Sequence, residues 1–242
     1  MIFKSPEPPC IVRWVGIILN ETTDTALIRI FNVSKHYGSK PALNHITLDI
    51  FKNEFVFFTG PSGAGKSTLL KLLYLGESIT EGQVLIDGMN LARISKSRAH
   101  LLRRKLGIIF QDYKLIPGKT VFQNVALVLE SRGLSRRFIQ KKVHSVLRIV
   151  GMEDRQQSFP LGLSGGEQQK VAVARAVVGE PKIILADEPT GSLDADAAET
   201  IFKLLTAFHH RGATVLFATH DTELIRHTTH RIIYLKQGRL QS

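Results

Sequence analysis

The sequence predicts an α/β fold with a parallel β-sheet at its core, and three observations support this prediction. Short apolar segments alternate with segments of helical periodicity, most clearly after residue 179. Several apolar segments end at polar residues, as parallel strands do when their carboxyl ends carry ligand-binding loops. A glycine-rich phosphate-binding pattern separates a predicted strand at 54–59 from a predicted helix at 67–74. With 242 residues, 43% of them hydrophobic, the chain can bury a large core.

The first 26 residues stand apart from the rest. Three prolines precede an apolar run at 10–19, which an arginine interrupts and which has about half the length that a membrane-spanning helix needs. We expect residues 1–26 to be a mobile or dispensable extension, or translation to begin near Leu27. Residues 27–242 are then the folded domain. The single cysteine, Cys10, excludes an intrachain disulfide and fits a reducing compartment.

The domain opens with β-strand signals. Ile46, Leu48 and Ile50 alternate with polar residues, and a further strand signal lies at 83–87. With the predicted strand at 54–59 between them, these signals indicate a β-rich part of the domain.

The phosphate-binding pattern has the glycines, the lysine and the hydroxyl of a P-loop, and the strand and helix beside it are the confirming context. We expect its backbone N–H groups to cradle the β-phosphate of a nucleotide. Lys66 would reach the β- and γ-phosphates, and the Ser67 hydroxyl would ligate Mg²⁺. The predicted nucleotide-binding residues of this segment are Gly60, Pro61, Ser62, Gly63, Ala64, Gly65, Lys66, Ser67 and Thr68.

Helical patterning predominates between about 95 and 160 and leads to the stretch Leu163–Gln169, which reads LSGGEQQ. Gly165 and Gly166 let a ligand approach the backbone closely, since they have no Cβ. They precede a helical segment without breakers, and the free N–H groups at a helix start favour an anion. Taken alone, the stretch is equally consistent with Ser164 as an ordinary N-cap.

Two adjacent carboxylates follow the apolar segment 182–186. At the end of a buried strand, Asp187 and Glu188 would repel each other unless a cation lay beside them. Mg²⁺ is the natural partner of Asp187, and Glu188 would then act as the general base that deprotonates the attacking water. A pair of solvated surface acids is the alternative. It is weakened because the sequence PTGSLD at 189–194 resembles the D-loop region of ATP-binding cassette proteins.

Together these motifs resemble those of ATP-binding cassette (ABC) ATPases, in that family's order and over about residues 27–242. The resemblance implies a P-loop NTPase fold with a RecA-like parallel α/β core, an antiparallel β-subdomain and a helical subdomain at about 95–165. It implies ATP and Mg²⁺ as ligands, and a second copy of the chain as the partner that completes each ATP site. The catalytic residues it implies are Lys66, Glu188 and His220.

The resemblance also assigns residues by position alone. Tyr37 lies where the family stacks an aromatic ring on adenine, and Gln111 lies at the Q-loop. His220 lies at the switch histidine, which contacts the γ-phosphate and the attacking water. The implied metal ligands are Ser67, Gln111 and Asp187. Besides the phosphate-binding loop, the residues implied to contact ATP are Tyr37, Gln111, Ser164, Gly165, Gly166, Glu167 and Asp194, and of these Ser164, Gly165 and Gly166 contact ATP held by the second copy.

Among ABC ATPases, the variable segments 63–74 and 110–126 resemble those of the bacterial cell-division ATPases of the FtsE type, although Ser192 stands where those proteins commonly have asparagine. This resemblance implies an FtsX-like integral membrane partner, through which the chain meets the membrane surface at the cytoplasmic face of the bacterial inner membrane. The implied process is cell division with peptidoglycan remodelling. Two alternatives stay open: an ATPase of a lipoprotein-release or macrolide-export transporter, and a nucleotide-gated scaffold in which turnover is secondary.

The charge balance indicates anionic partners. The formal net charge is +11, from 32 Lys and Arg against 21 Asp and Glu, and basic residues cluster between Arg93 and Lys142. We expect no nucleic-acid partner, because the sequence has no aromatic-interleaved basic patch and no nucleic-acid-reading motif. Nucleotide and an anionic membrane surface are the expected counterparts.

Overall fold

Two β-sheets and seven helices organise the described part of the chain, which comprises residues 26–95, 97–226 and 228–241 of a computed structural model. The predicted extension at 1–26 lies, except for Ala26, outside the described residues, so its boundary stays a prediction. In chain order the strands are β1 (Ile28–Tyr37), β2 (Lys40–Ile50), β3 (Phe55–Thr59), β4 (Glu81–Ile86), β5 (Met89–Asn90), β6 (Leu106–Ile109), β7 (Ile183–Asp187), β8 (Thr214–Ala218), β9 (Arg231–Lys236) and β10 (Arg239–Gln241).

The helices follow the predicted alternation with strands. None of those in the described ranges has the length together with the hydropathy that a bilayer span demands. They are α1 (Lys66–Leu73), α2 (Ala99–Arg103), α3 (Val121–Glu130), α4 (Arg136–Ile149), α5 (Gly165–Val177), α6 (Ala195–His210) and α7 (Thr222–Arg226).

The larger sheet has the strand order β10-β9-β3-β8-β7-β6. Its neighbours pair in parallel, apart from the antiparallel hairpin of β9 and β10. The parallel strands read as continuous apolar runs because both faces of the sheet are covered. In β3 all five residues are buried, and alternate side chains enter different cores: Val56 and Phe58 pack on the side of α1, whereas Phe55 and Phe57 pack on the side of α5.

The smaller sheet has the order β2-β1-β4-β5, and its pairings are all antiparallel. Ile28, Ile46 and Ile50 bury their side chains in the same core as the leucines of α1. The predicted β-rich part is therefore present, and it packs beside the helix that follows the phosphate-binding loop.

One prediction for the middle of the chain is wrong in detail. Helical patterning was expected from about residue 95, but Leu106–Ile109 forms β6 and pairs with β7 in the parallel sheet. Four residues are too few to show a periodicity, and burial of the strand on both faces removes the alternation that would have marked it. Helices α3, α4 and α5 share the second core, while the limits of a helical subdomain at about 95–165 stay a prediction.

Candidate active site

The phosphate-binding loop connects β3 to α1 and is braced from outside by two other strands. Gly60 has φ +139°, and a Cβ there would lie 2.0 Å from the carbonyl oxygen of Leu235. Gly65 has φ +106°, and its Cβ would lie 2.6 Å from the carbonyl oxygen of Ala42. Only glycine fits positions that combine positive φ with such close backbone neighbours. The loop is therefore held in shape by backbone from β2 and β9.

Lys66, the first residue of α1, folds back into this loop. Its side chain is 6% exposed, and its Nζ donates a 2.8 Å hydrogen bond to the carbonyl oxygen of Gly60. The same ammonium lies 3.5 Å from Oε1 of Glu188. A buried ammonium needs such partners because burial without them is costly. The charge is thus positioned at the centre of the loop.

The Ser67 hydroxyl meets the first of the two adjacent carboxylates. Ser67 Oγ donates a 2.7 Å hydrogen bond to Oδ1 of Asp187, the last residue of β7. Burial raises the pKa of the Asp187 carboxyl, and the adjacent charge of Glu188 raises it further, against the opposing effect of the Ser67 bond. A carboxylate and a hydroxyl beside a phosphate-binding loop are oxygen donors that Mg²⁺ prefers, and a cation would relieve the repulsion of the acids. These residues fit the metal.

Glu188 is held by backbone and by a histidine. It has φ +47°, a left-handed conformation that is uncommon outside glycine, and its N–H donates to the carbonyl oxygen of Ala218 at 2.9 Å. Its Oε2 lies 2.9 Å from Nδ1 of His220 and accepts a 3.3 Å bond from the His220 backbone N–H. The Glu188 side chain is 10% exposed and that of His220 62% exposed, so the pair joins a buried carboxylate to the surface.

A cleft of about 660 Å³ opens over these groups. It brings together the phosphate-binding loop, Gln111, Glu188 and His220, as the sequence predicts, and Asp187 reaches it through Ser67. The cleft is lined by Ala42, Thr59, Gly60, Pro61, Ser62, Gly63, Ala64, Gly65, Lys66, Ser67, Thr68, Gln111, Glu188, His220, Thr222 and Tyr234.

Tyr37 lies outside this lining, at the end of β1. Its ring is 44% exposed, and the Lys35 ammonium lies 4.8 Å from the ring centroid. Sequence reasoning missed four residues that line the cleft, which are Ala42, Thr59, Thr222 and Tyr234. Tyr234 arrives there because β9 pairs in parallel with β3 and places it opposite the last residue of that strand. No local motif signals such a residue, since strand register brings it in from far along the chain.

The stretch Leu163–Gln169, which corresponds to the signature motif of ABC proteins, forms the capped start of α5, the signature helix. Ser164 is the N-cap of α5, and its Oγ accepts a 3.2 Å bond from the N–H of Glu167. The Glu167 carboxylate in return accepts a 2.8 Å bond from the Ser164 N–H. This bond from the Ser164 backbone holds the pKa of Glu167 below its ordinary value. The N-cap and anion-site interpretations are compatible, because a capping box leaves the first N–H groups of the helix free.

Asp194 is the N-cap of the neighbouring helix α6, and its Oδ1 accepts a 2.8 Å bond from the Ala197 N–H. A recess of about 370 Å³, the signature recess, opens between the two helix starts. Its lining has no residue in common with the larger cleft, so the predicted site residues fall into two separate groups. The recess is lined by Ser164, Gly165, Gly166, Glu167, Lys170, Ser192, Leu193, Asp194, Asp196, Ala197 and Thr200.

Comparison with known proteins decides the family. The ABC transporter family profile matches residues 43–191. The cell division ATP-binding protein FtsE of Streptococcus pneumoniae is 44% identical over 208 residues, which cover 86% of this chain and 90% of that protein. The FtsE protein of Escherichia coli is 44% identical over 215 residues, covering 88% and 97%. This chain belongs to the FtsE family of ABC ATPases.

Solved ABC cassettes have the same fold. The ATP-binding cassette MJ0796, in a dimeric post-hydrolysis state bound to ADP and phosphate, matches this ABC ATPase with a TM-score of 0.82 and 37% identity. The match covers 89% of this chain and 97% of that one. The predicted P-loop ABC fold is confirmed, and so is the prediction of an ATP-binding and ATP-hydrolysing subunit of the cell-division type. The transporter alternatives are not favoured.

Proposed function

We propose that two copies of this ABC ATPase close around two ATP molecules and transmit that closure to an FtsX-like membrane partner at the cytoplasmic face of the bacterial inner membrane. The process served is cell division with peptidoglycan remodelling. The separation of the catalytic cleft from the signature recess carries the proposal. Each group of residues is half of a site, and a second copy supplies the other half.

In this proposal the larger cleft binds the triphosphate. The N–H groups of residues 60–68 cradle the β-phosphate, Lys66 exchanges its bond to the Gly60 carbonyl for the β- and γ-phosphates, and Tyr37 stacks on the adenine. Ser67, Asp187 and Gln111 would hold Mg²⁺, which supplies charge neutralisation of the phosphates when bound.

Glu188 takes the proton of the attacking water. It is the only carboxylate among the residues that line the cleft. Lys66 lies beside its Oε1 and His220 beside its Oε2, so the carboxylate is held in one orientation. A second copy then places Ser164, Gly165 and Gly166 over the γ-phosphate, with Glu167 and Asp194 at the edge of the contact. Because those contacts need the γ-phosphate, ATP closes the dimer and ADP does not.

His220→Ala is expected to lower the ATPase rate at saturating ATP at least about ten-fold, because Glu188 loses its 2.9 Å partner and its orientation. Phosphate release by the purified chain measures the effect. His210→Ala, at the exposed end of α6, is the matched control and should keep the parent rate. An unimpaired rate in His220→Ala would contradict the switch role.

A second cleft, of about 500 Å³, lies beside the loop that contains Gln111 and is the proposed contact with the membrane partner. It carries the side chains of Arg103, Arg104, Arg132 and Arg175, and no carboxylate lines it among the described residues. The arginines donate to backbone carbonyl oxygens instead of acids, as Arg132 does to Gly179 at 2.8 Å. The cleft therefore combines positive charge that no carboxylate of its lining balances with apolar residues at its base. An acidic amphipathic segment of the partner is complementary to both features.

Replacing both Arg103 and Arg104 by glutamate is expected to reduce recovery of the partner from solubilised membranes at least about ten-fold, because like charges then face each other. The tagged chain is purified from membranes, and the bound proteins are identified by mass spectrometry. The matched control places the same charge change on the exposed residues Arg136 and Arg137 of α4, with thermal unfolding as the check on folding. Recovery of a four-span protein with a modest extracellular domain supports the proposal. A partner with a large periplasmic domain would overturn it.

A further inference from the structure

The loop after β6 has an unusual backbone that helix α5 holds in place. Tyr113 and Lys114 both adopt left-handed conformations, with φ of +59° and +49°, which cost free energy in residues other than glycine. The Arg175 guanidinium donates to both of their carbonyl oxygens, at 2.6 Å to Tyr113 and 2.5 Å to Lys114. Burial lowers the pKa of the Arg175 guanidinium, while its bonds to the two carbonyl oxygens favour the charged form. The loop and the signature helix are therefore fixed to each other.

The Tyr113 side chain extends this connection to the two segments that line the signature recess. Its hydroxyl lies 3.2 Å from Oγ of Ser192, in the loop before α6. A Cβ added to Gly165 would lie 2.9 Å from the same hydroxyl and 3.7 Å from the Leu193 side chain. The phenol thus closes the space beside Gly165 and joins it to the Ser192 loop.

The contacts of Tyr113 lie between the nucleotide-binding cleft and the signature recess of the same chain. Gln111, two residues before Tyr113, lines the cleft of its own chain, whereas Gly165 and Ser192 line the recess. We propose that Tyr113 is a positioning residue that couples the nucleotide cleft of one chain to the signature surface which that chain offers to its partner. This inference rests on the proposed ATP-closed dimer. Tyr113 itself lines neither the cleft nor the recess, so it acts through Gly165 and Ser192.

Loss of the Tyr113 hydroxyl should change dimer closure but not the binding of nucleotide to a single chain. If ATP in the cleft shifts Gln111, the Tyr113 bond carries the signature loop and the Ser192 loop with it as one unit. Without the hydroxyl, the loop at Gly165 and the loop that contains Ser192 are no longer joined. Closing the dimer must then order each of them separately, which costs conformational entropy. Binding of nucleotide to the single chain should be unaffected, whereas dimer closure should need more ATP.

The test is a double-mutant cycle in the full chain carrying Glu188→Gln, with ATP and Mg²⁺. Light scattering measures the ATP concentration at half-maximal dimer formation for Tyr113→Phe, Ser192→Ala and their combination. Each single change should raise that concentration about two- to ten-fold, as loss of one hydrogen bond does. The combination should be no worse than the worse single change, because both remove the same bond. Fluorescent ADP should bind all variants with the affinity of the parent.

Ser145→Ala is the matched control, since Ser145 is an exposed serine of α4. It should leave dimer formation unchanged and add nothing to Tyr113→Phe. Additive effects of Tyr113→Phe and Ser192→Ala, no effect of either, or a parallel loss of ADP binding would overturn the inference while leaving the dimer intact. Failure of the Glu188→Gln parent to dimerise would instead overturn the proposed function.

Discussion

Lys66→Ala is expected to abolish ATP turnover, with kcat/KM falling at least about 100-fold, as when a preorganised charge is removed from a site of developing negative charge. The ammonium is 6% exposed and lies 3.5 Å from Glu188, and Lys66 is the only lysine or arginine among the described residues that line the cleft. ATP binding should weaken as well, because Lys66 contributes to ground-state and transition-state contacts alike.

Phosphate release and calorimetric titration with ATP measure the two effects of this change. Lys203→Ala is the matched control: Lys203 is 72% exposed on α6 and pairs with Glu199 one turn away. It should behave as the parent protein does. A Lys66→Ala chain that keeps more than a tenth of the parent kcat/KM would contradict the assignment of this residue to the phosphates.

Glu188→Gln is expected to bind ATP, to hydrolyse it about 10²- to 10⁴-fold more slowly than the parent chain, and to accumulate as a dimer. Glutamine preserves the size of the side chain but cannot accept the proton of the attacking water. It also removes a negative charge that faces Lys66 across the cleft, which favours the binding of phosphate. The contacts of the signature loop with ATP then persist, because nothing breaks the bond to the γ-phosphate.

Sedimentation velocity with excess ATP and Mg²⁺ measures the dimer, and ADP is the nucleotide control. Glu199→Gln, at a side chain that is 62% exposed, should sediment as the parent chain does under the same conditions. A Glu188→Gln chain that stays monomeric under these conditions would contradict the ATP-sandwich arrangement.

Local patterns predicted the parallel sheet and the site, because the groups that bind phosphate are encoded in short segments. The apolar run at 54–59, the glycines after it and Lys66 lie within a few residues of one another, so spacing alone specifies their chemistry. The order of the motifs along the sequence is by itself enough to indicate the ABC family. The strand Phe55–Thr59 and the helix Lys66–Leu73 lie where the sequence predicted them.

The rest could not be predicted because it depends on register and on distant partners. Periodicity reports which face of an element is buried, but not which residue of another strand it will meet. The carbonyl oxygens of Ala42 and Leu235 brace the phosphate loop, and Arg175 holds Tyr113 from a helix 62 residues away in sequence. Tyr113 itself has an ordinary side chain in an unremarkable sequence, and only its neighbours reveal what it touches.

Because the cleft and the recess are separate, ATP hydrolysis should depend on where in the cell two chains come together. An isolated chain carries two unfinished halves, so turnover depends on how often two chains meet and rises with the square of their concentration. At low abundance, collisions in bulk solution would then contribute little. The membrane partner of the proposed function, by holding two chains side by side, would replace that bulk concentration with a local one, which short tethers raise to about the millimolar range. ATP hydrolysis would then be concentrated wherever this partner brings two chains together, without any separate inhibitor.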